Sequence, residues 1–426
     1  MRKMRQSGVD RIGEIPANWR VGRLKHCLSM LESGGTPKSD DDDFYTDEGG
    51  VPWVSIADMS SCDCVVDTKK HLTPVGIADK DLKVFPAGTT LYSIYATIGK
   101  VAVLGRPAAI NQAILALSFD RNSCSQYYRY LLKAYEPFAT SFTTENTQKN
   151  LNAQKVRNIR VVLPPPCDQA RIAKFLDEWS SEIDSIMVQA KASIEDYRAL
   201  KKTLVFESVT GKNLKGKKVA SGQDWLGDIP AAWDVRRIVN LYCEVSERGD
   251  DSLPILSVSI NTGVSDKELS DEEQERVFIR IEDKSKYKRV QPGDLTYNMM
   301  RAWQGAFGAV RVNGMVSPAY VVARPKVEMD SRYVECLLRS PNATREMQRY
   351  SRGIADFRLR LYWPEFKNIR IPCPPLEEQK RIADMLDEKC GEIDAIIADK
   401  ERLIADLEMY KKSLIFEVVT VKREVA

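Results

Sequence analysis

The chain has 426 residues, too many for one ordinary hydrophobic core, so two or three domains are expected. Its 43% hydrophobic and 29% charged residues match a globular protein and exclude global disorder. With 63 Lys and Arg against 60 Asp and Glu, the net charge is only +3, so any hold on nucleic acid must rest on local patches or partner chains. No apolar run reaches the ~20 residues of a membrane span. The opening MRKMRQSGVDRIGEIP has no apolar run behind it, so no secretion signal is expected. Nine cysteines, an odd number, read as reduced cytosolic thiols rather than a disulfide framework. Only Cys62 and Cys64 lie close together, and His26 and His71 complete no zinc spacing, so no metal site is expected.

In chain order the first feature is a lead-in, IGEIPANWRVGRL (12–24), which returns as LGDIPAAWDVRRI (226–238) at an offset of 214. A β-rich block follows. GVPWVSI (50–56), GTTLYSI (88–94), KVAVLG (100–105) and AILALSF (113–119) carry strand-forming residues bounded by Gly, Pro and Asn. YYRYLLKAY (127–135) then predicts a helix. Residues 158–212, from NIRVVLPPPCDQARIAKFLDEW to LVFESVTGK, return as 368–422 at an offset of 210. That period is far too long for a solenoid. Between the halves, GKNLKGKKVASGQD (211–224) reads as an exposed linker. The second block repeats the first in order: PILSVSI (254–260), GDLTYNMM (293–300), GAVRV (308–312), AYVVARP (319–325), and the helix RYVECLLRS (332–340). Two copies of one fold with divergent surfaces are what two binding specificities would need.

The repeated terminal segments predict long helices. Ile172, Trp179, Ile186, Ser193 and Leu200 recur every seven residues, interleaved with Leu176, Ile183, Ala190, Tyr197 and Leu204. These are d and a positions of a heptad repeat. The second copy gives Ile382, Lys389, Ile396, Leu403 and Tyr410 at d, and Leu386, Ile393, Lys400, Leu407 and Leu414 at a. Prolines at 164–166 and 374–375 favour a fresh helix start, Asp168, Glu377 and Glu378 suit a first turn, and Gly211 suits an end. About forty residues make a rod of roughly 60 Å. Two helices, each buried on its own domain, is the alternative, but sustained heptads in both copies favour the helices packing on each other. If they pack antiparallel about a midpoint near Ala190 and Lys400, facing residue numbers add to 590, which levels Leu176 with Leu414 and Leu204 with Leu386.

Catalytic signatures are missing. GKNLKGKK (211–218) has P-loop spacing, but Lys218 stands where Ser or Thr would hold magnesium, and it follows a helix. No dinucleotide-binding glycine motif, nucleophile elbow, nuclease constellation or methyltransferase motif can be read, and the acidic run 40–43 lacks the pattern of a calcium loop. Catalysis by this chain alone is not expected.

Polar clusters fall at matched places instead. TSFTTENTQKNLNAQKVRNIR (140–160) includes Thr144, Asn146, Gln148, Lys149 and Asn150. TREMQRYSRGIADFRLRLYW (344–363) includes Arg345, Arg349, Arg352, Arg358 and Arg360. Asn and Gln pair with adenine, Arg with guanine, and Lys and Arg hold phosphates. A solvated face explains either stretch singly; their equivalent placement points to DNA. A second candidate surface is YNMMRAWQGAFG (297–308) with Arg301 and Gln304, matched by YSIYATIGK (92–100) with Tyr95, Thr97 and Lys100. For Trp303, Tyr92 and Tyr95, core packing is the expected role.

The chain resembles the specificity subunit of a type I restriction–modification system. GEIPANW, GDIPAAW, GGTP, VPWVSIADM, TQKNLN, YNMMRAWQGAFG, VSPAY and the two PPPCDQARIA and PPLEEQKRIA helix starts carry the likeness, which spans nearly the whole chain. The resemblance implies an α+β chain with two similar β-rich target-recognition domains in tandem. Two long helices, packed as an antiparallel coiled coil with a pseudo-twofold repeat, would separate them. It places the first recognition domain at 1–157 (lead-in 11–27) and the first helix at 158–212. A linker at 213–224, the second domain at 225–367 (lead-in 225–241) and the second helix at 368–426 follow. It implies a non-catalytic, cytoplasmic subunit that reads a split double-stranded DNA site. DNA adenine methyltransferase subunits would dock beside the helices, and restriction and translocase subunits would complete the assembly. S-adenosylmethionine, ATP and magnesium would then bind on those partners. The competing reading is a stand-alone coiled-coil structural or interaction protein without DNA specificity.

Overall fold

The computed structural model describes residues 3–9, 12–38, 42–47, 49–60, 62–142, 151–250, 252–268, 284–353 and 359–425. The chain divides into two compact units, Met1–Ala190 with Arg402–Ala426, and Lys191–Glu401.

In the first unit the main sheet holds β1 (Leu28–Ser33), β2 (Thr90–Ser93), β3 (Val101–Leu104) and β4 (Ile114–Phe119), ordered β1-β4-β2-β3. Cys64–Val65 adds a parallel strand at the β3 edge. Leu117 of β4 faces Leu31 on one side and Thr90 on the other, both antiparallel. Helix α1 (Ser125–Tyr135) buries Tyr127, Tyr128, Leu131 and Leu132, the i, i+1, i+4 and i+5 positions of one helical face. A second sheet joins Ala109–Ile110, Val51–Val54, His71–Leu72 and Tyr45–Thr46. The long helix α2 runs Pro166–Thr210.

The second unit repeats that order with β5 (Tyr242–Val245), β6 (Leu295–Asn298), β7 (Phe307–Ala309) and β8 (Tyr320–Pro325), arranged β5-β8-β6-β7. Helix α3 (Ser331–Leu338) is followed by α4 (Pro341–Tyr350), a helix whose sequence is marked by polar residues rather than by an apolar pattern. Ser340 starts α4, its hydroxyl accepting the Ala343 N–H, with Pro341 in the first turn. The second long helix, α5, is Leu376–Val419.

The lead-ins are hairpins. Met4–Gln6 pairs with Glu14–Pro16, and Lys218–Ala220 pairs with Asp228–Pro230 in the same way. The expected linker therefore contains a strand. All three residues of Lys218–Ala220 are exposed, so no alternation marked it, and its composition alone suggested a linker.

Each unit fastens its long helix by the same set of hydrogen bonds. Gln169 donates to the Pro164 carbonyl at 2.8 Å and accepts the N–H of Cys124, the cap of α1, at 2.8 Å. Gln379 donates to Pro374 at 2.8 Å and accepts the N–H of Asp330, the cap of α3, at 3.1 Å. The lead-in tryptophans complete the pattern: Trp19 donates to Asp168 at 2.9 Å, and Trp233 to Glu378 at 2.8 Å. Arg171 and Arg381 sit on those same carboxylates at 3.1 and 3.2 Å. The buried core of the first unit takes in Leu176 and Ile183 from α2 and Leu414, Ile415 and Val418 from α5. That of the second takes in Val209 from α2 and Ile382 and Leu386 from α5.

Along the helices, Leu176, Ile183, Ala190, Leu386, Ile393 and Leu414 are buried, and Tyr197, Leu204, Lys400 and Leu407 are half-buried. The companion row keeps its first expected members, Ile172 and Ile382, buried, with Ser193 half-buried, but departs from the expected d positions elsewhere. Trp179, Ile186, Leu200, Lys389, Ile396, Leu403 and Tyr410 are exposed. The covered companions lie one residue on, at Ser180, Met187, Ile194 and Lys201, and at Cys390, Ile397, Ile404 and Lys411. Hydrophobicity could not reveal this, because the covered row includes Ser180, Cys390, Lys201 and Lys411, and the lysine stems can be covered while their ammonium groups reach carboxylates. In the first unit Lys411 lies 2.7 Å from Asp184. In the second, Lys201 lies 2.6 Å from Asp394 and Arg198 3.0 Å from Glu401, so these stretches run antiparallel. The Lys–Asp pairs are repeats of each other at the 210 offset, and in both the residue numbers add to 595, within a heptad of the expected 590. The Lys400 ammonium lies 5.9 Å from the centre of the Tyr197 ring.

Gln379→Ala should destabilise the protein by about 1–3 kcal/mol in denaturant unfolding, since it strands a buried carbonyl and an N–H. Lys380→Ala, on the exposed side of the same turn, should stay within about 0.5 kcal/mol.

Candidate nucleic-acid interface

In both units the turn after the second sheet strand of the β-rich block carries candidate residues, and both turns are built alike. In the first, the Ser93 hydroxyl accepts the Lys100 N–H at 2.9 Å and donates to the Thr97 carbonyl. In the second, the Asn298 side-chain oxygen accepts the Met300 N–H at 3.0 Å. Gly99 (φ +92°) and Gly305 (φ +94°) take the left-handed conformation that closes each turn. A Cβ at Gly99 would meet that of Ala139 at 2.5 Å, so the turn lies directly on the segment after α1. The Leu151 N–H donates to the Ile94 carbonyl at 3.1 Å, and the Leu361 N–H donates to Met299 at 2.9 Å. Residues 151 and 361 are repeat equivalents, so the chain returning towards each long helix is stitched to each turn at the same place.

The side chains placed there differ. In the first unit Tyr95 and Thr97 are exposed and Lys100 is half-buried. Tyr92 is fully buried, as expected, but Tyr95, 55% exposed, is not the core residue anticipated. It sits at the apex of the turn, beyond the reach of the sheet. Ser60 lies beside this turn, its hydroxyl 3.5 Å from that of Thr97, and was not singled out from sequence. Below it, burial works against the charge of Asp63, but Lys133 at 2.8 Å, with Lys411 and Lys100 adding to it, holds that carboxyl below the usual range. Thr144, Asn146, Gln148, Lys149 and Asn150 lie outside the described residues, as does Arg358.

In the second unit Gln304 is exposed and Arg301 half-buried on the turn, while the Trp303 indole donates to the Met300 carbonyl at 3.1 Å. Helix α4 packs beside this turn, with Thr344 next to Gly305, and displays Arg345, Gln348 and Arg349 to solvent. Beyond α4, Arg352 and Arg360 exchange both backbone hydrogen bonds at 2.9 Å, a bridge that brings their two exposed side chains together. Arg349 also pairs with Glu346 at 3.0 Å and Arg352 with Glu365 at 2.6 Å. Tyr297, Phe307 and Phe366 pack together in the core of this unit with tilted rings, their centres 4.8–5.5 Å apart. The result is a cationic surface with polar hydrogen-bonding groups on the turn, suited to phosphates and base edges. Among the described residues no group of three or more His, Cys, Asp or Glu side chains could hold a metal ion. No helix of the described residues is long and apolar enough to cross a membrane.

Arg352→Ala should cost about 1 kcal/mol of stability, because its guanidinium is exposed but the Glu365 carboxylate left without it is half-buried. The slope of log affinity for duplex DNA against log salt should become shallower by about 0.9, the loss of one phosphate contact. Titration at several salt concentrations reads both the affinity and the slope.

Comparison with known proteins places this geometry. Residues 16–196 and 252–404 match the family described as Type I restriction modification DNA specificity domain. The chain is 23% identical over 434 residues to the type I restriction enzyme MjaVIII specificity subunit of Methanocaldococcus jannaschii, covering 96% of this chain and 93% of that one. It is also 23% identical to the MjaIX specificity subunit of the same organism, over 63% of this chain and 59% of that protein. Among solved structures, it is similar to a chain from work on complex assembly and conformational transition of the type I R-M system. There the TM-score is 0.66 at 16% identity, covering 95% of this chain and 98% of that one. The HsdS subunit from Thermoanaerobacter tengcongensis gives a TM-score of 0.52 at 16% identity, covering 95% and 97%.

Proposed function

The chain belongs to the type I restriction–modification DNA specificity family, and we propose that each of its two units reads one half of a bipartite double-stranded DNA site. The observation that carries this is the duplicated turn: one backbone construction, tied by an equivalent backbone hydrogen bond to the chain returning towards each long helix, displays different side chains in each unit. Tyr95, Thr97, Lys100 and the polar segment 144–150 would serve one half-site. Arg301, Gln304, Arg345, Arg349, Arg352, Arg358 and Arg360 would serve the other.

The helices act in this reading as an antiparallel coiled-coil spacer about a pseudo-twofold axis. The two Lys–Asp pairs support it, being one interaction seen twice through the repeat. The exposed apolar row that includes Trp179, Ile186, Leu403 and Tyr410 in the first unit suits docking of DNA adenine methyltransferase subunits. Restriction and translocase subunits would join through them. S-adenosylmethionine, ATP and magnesium would bind on those partners, and the complex would work in the cytoplasm, where its DNA is. A purely structural coiled-coil protein would need neither duplicated turn nor a cationic patch.

Two measurements test this reading. With a net charge of +3, the isolated chain should bind its site weakly with a shallow salt slope, and methyltransferase subunits should steepen it by adding phosphate contacts. Tight binding with a steep slope from the chain alone would count against the division of labour. In a background lacking the native cysteines, cysteine pairs at 184/411 and 201/394 should both join through a short bismaleimide. Joining of 184/394 instead would mean parallel helices.

A further inference from the structure

Beside the turn of the second unit stands a small hairpin that the sequence reading treated only as a strand. Val258–Ser259 pairs antiparallel with Gly263–Val264, leaving Ile260, Asn261 and Thr262 at its tip. Asn261 and Thr262 are exposed. The Ser259 hydroxyl accepts the backbone N–H groups of Asn261 and Thr262 at 3.0 and 3.4 Å, which fixes the tip from within.

The hairpin is also clamped from below. Arg339, at the end of α3, donates to the Ile260 carbonyl at 3.0 Å and to that of Asn261. Glu335, one helical turn earlier and 7% exposed, holds the Arg339 guanidinium at 2.8 Å and accepts the Ala309 N–H of β7 at 3.1 Å. Burial raises the Glu335 carboxyl above the usual range despite the opposing effect of Arg339. Such a group is retained at some cost to stability, and here it ties helix, strand and hairpin together. Two glycines make the close approach possible. A Cβ at Gly263 (φ +75°) would meet a Glu335 oxygen at 2.2 Å, and one at Gly308 would meet the Val264 nitrogen at 2.4 Å. The clamp adjoins the turn itself, since the space beside Gly305 is bounded by the Arg339 backbone at 3.8 Å.

We propose that the Asn261–Thr262 tip is a base-reading element of the second unit, with Glu335 and Arg339 as positioning residues that hold it beside the Arg301–Gln304 turn. Asn261 supplies paired donor and acceptor groups of the kind that match the adenine edge in the major groove, and Thr262 a hydroxyl and a methyl group. The Arg patch is cationic and grips phosphates, whereas the tip is uncharged, rigid and polar, as discrimination between bases requires. The first unit departs at this point. VSI recurs at 54–56, but the following residues begin a helix, Ile56–Ser60, with Asp58 accepting from the Ser55 N–H at 2.9 Å and hydroxyl at 2.6 Å. A different element at the same place fits a different half-site.

The inference rests on the bipartite-reading proposal, and the test separates the two. The chain is assembled with its methyltransferase subunits, and methylation of duplexes carrying every single substitution in the site is measured. Asn261→Ala should relax discrimination at one or two adjacent positions of one half-site by about 5- to 150-fold, the range of a bidentate base contact. Glu335→Gln should relax the same positions, although it touches no DNA, while Arg349→Ala should weaken all sequences alike. If Asn261→Ala and Thr262→Ala both leave the preference unchanged while Arg349→Ala weakens binding, the tip is not a reading element, but the bipartite proposal stands. If none of these variants alters methylation of either half-site, both fall together.

Discussion

The arrangement depends on a buried glutamine at the start of each long helix. Gln169 and Gln379 bridge two chain segments: the proline run preceding the long helix and the cap of the short helix packed on the sheet. An amide is suited to this because it donates and accepts at once, and an orphan at either end is costly in a buried place. With the tryptophan–carboxylate bond on the other side of the same turn, the direction of the long helix is set by the domain core. In the proposed reading, a recognition surface on such a unit would move with its helix, and the helices would serve as the spacer that positions it.

The repeat makes physical sense from that starting point. Elements that orient helix and turn recur: the glutamine, the tryptophan–carboxylate bond, the arginine on that carboxylate, the left-handed glycine and the backbone bond from 151 or 361. Elements that face outward do not. Tyr95 and Thr97 stand where the second unit has Arg301 and Gln304, and a short helix stands where the second unit has the clamped hairpin. Nucleic-acid affinity depends on local cationic groups rather than on net charge, and an almost neutral chain can still present one concentrated cationic patch.

Much of this was legible in the sequence. The order of strands, the two helix starts and the turns at 92–100 and 297–308 followed from residue type and from the repeat itself. The second covered row of each long helix lies one residue on from the expected positions over most of its length, because Trp179, Ile186 and Leu200 look more like core than Ser180 and Lys201. The strand at Lys218–Ala220 was hidden by its exposure, and the hairpin clamp by its range, since Glu335 and Asn261 lie far apart in the chain and no local pattern links them. Long-range polar contacts have no periodicity, and only the fold reveals them.

The most direct test of the account is methylation-aware sequencing of DNA from cells making the full complex with either the wild-type chain or one carrying Arg345→Ala, Arg349→Ala and Arg360→Ala. The account predicts a split methylated motif for the wild type. In the variant, methylation should fall while the other half-sequence and the gap between halves are preserved. A continuous motif, or a variant in which both halves and their spacing change together, would contradict it.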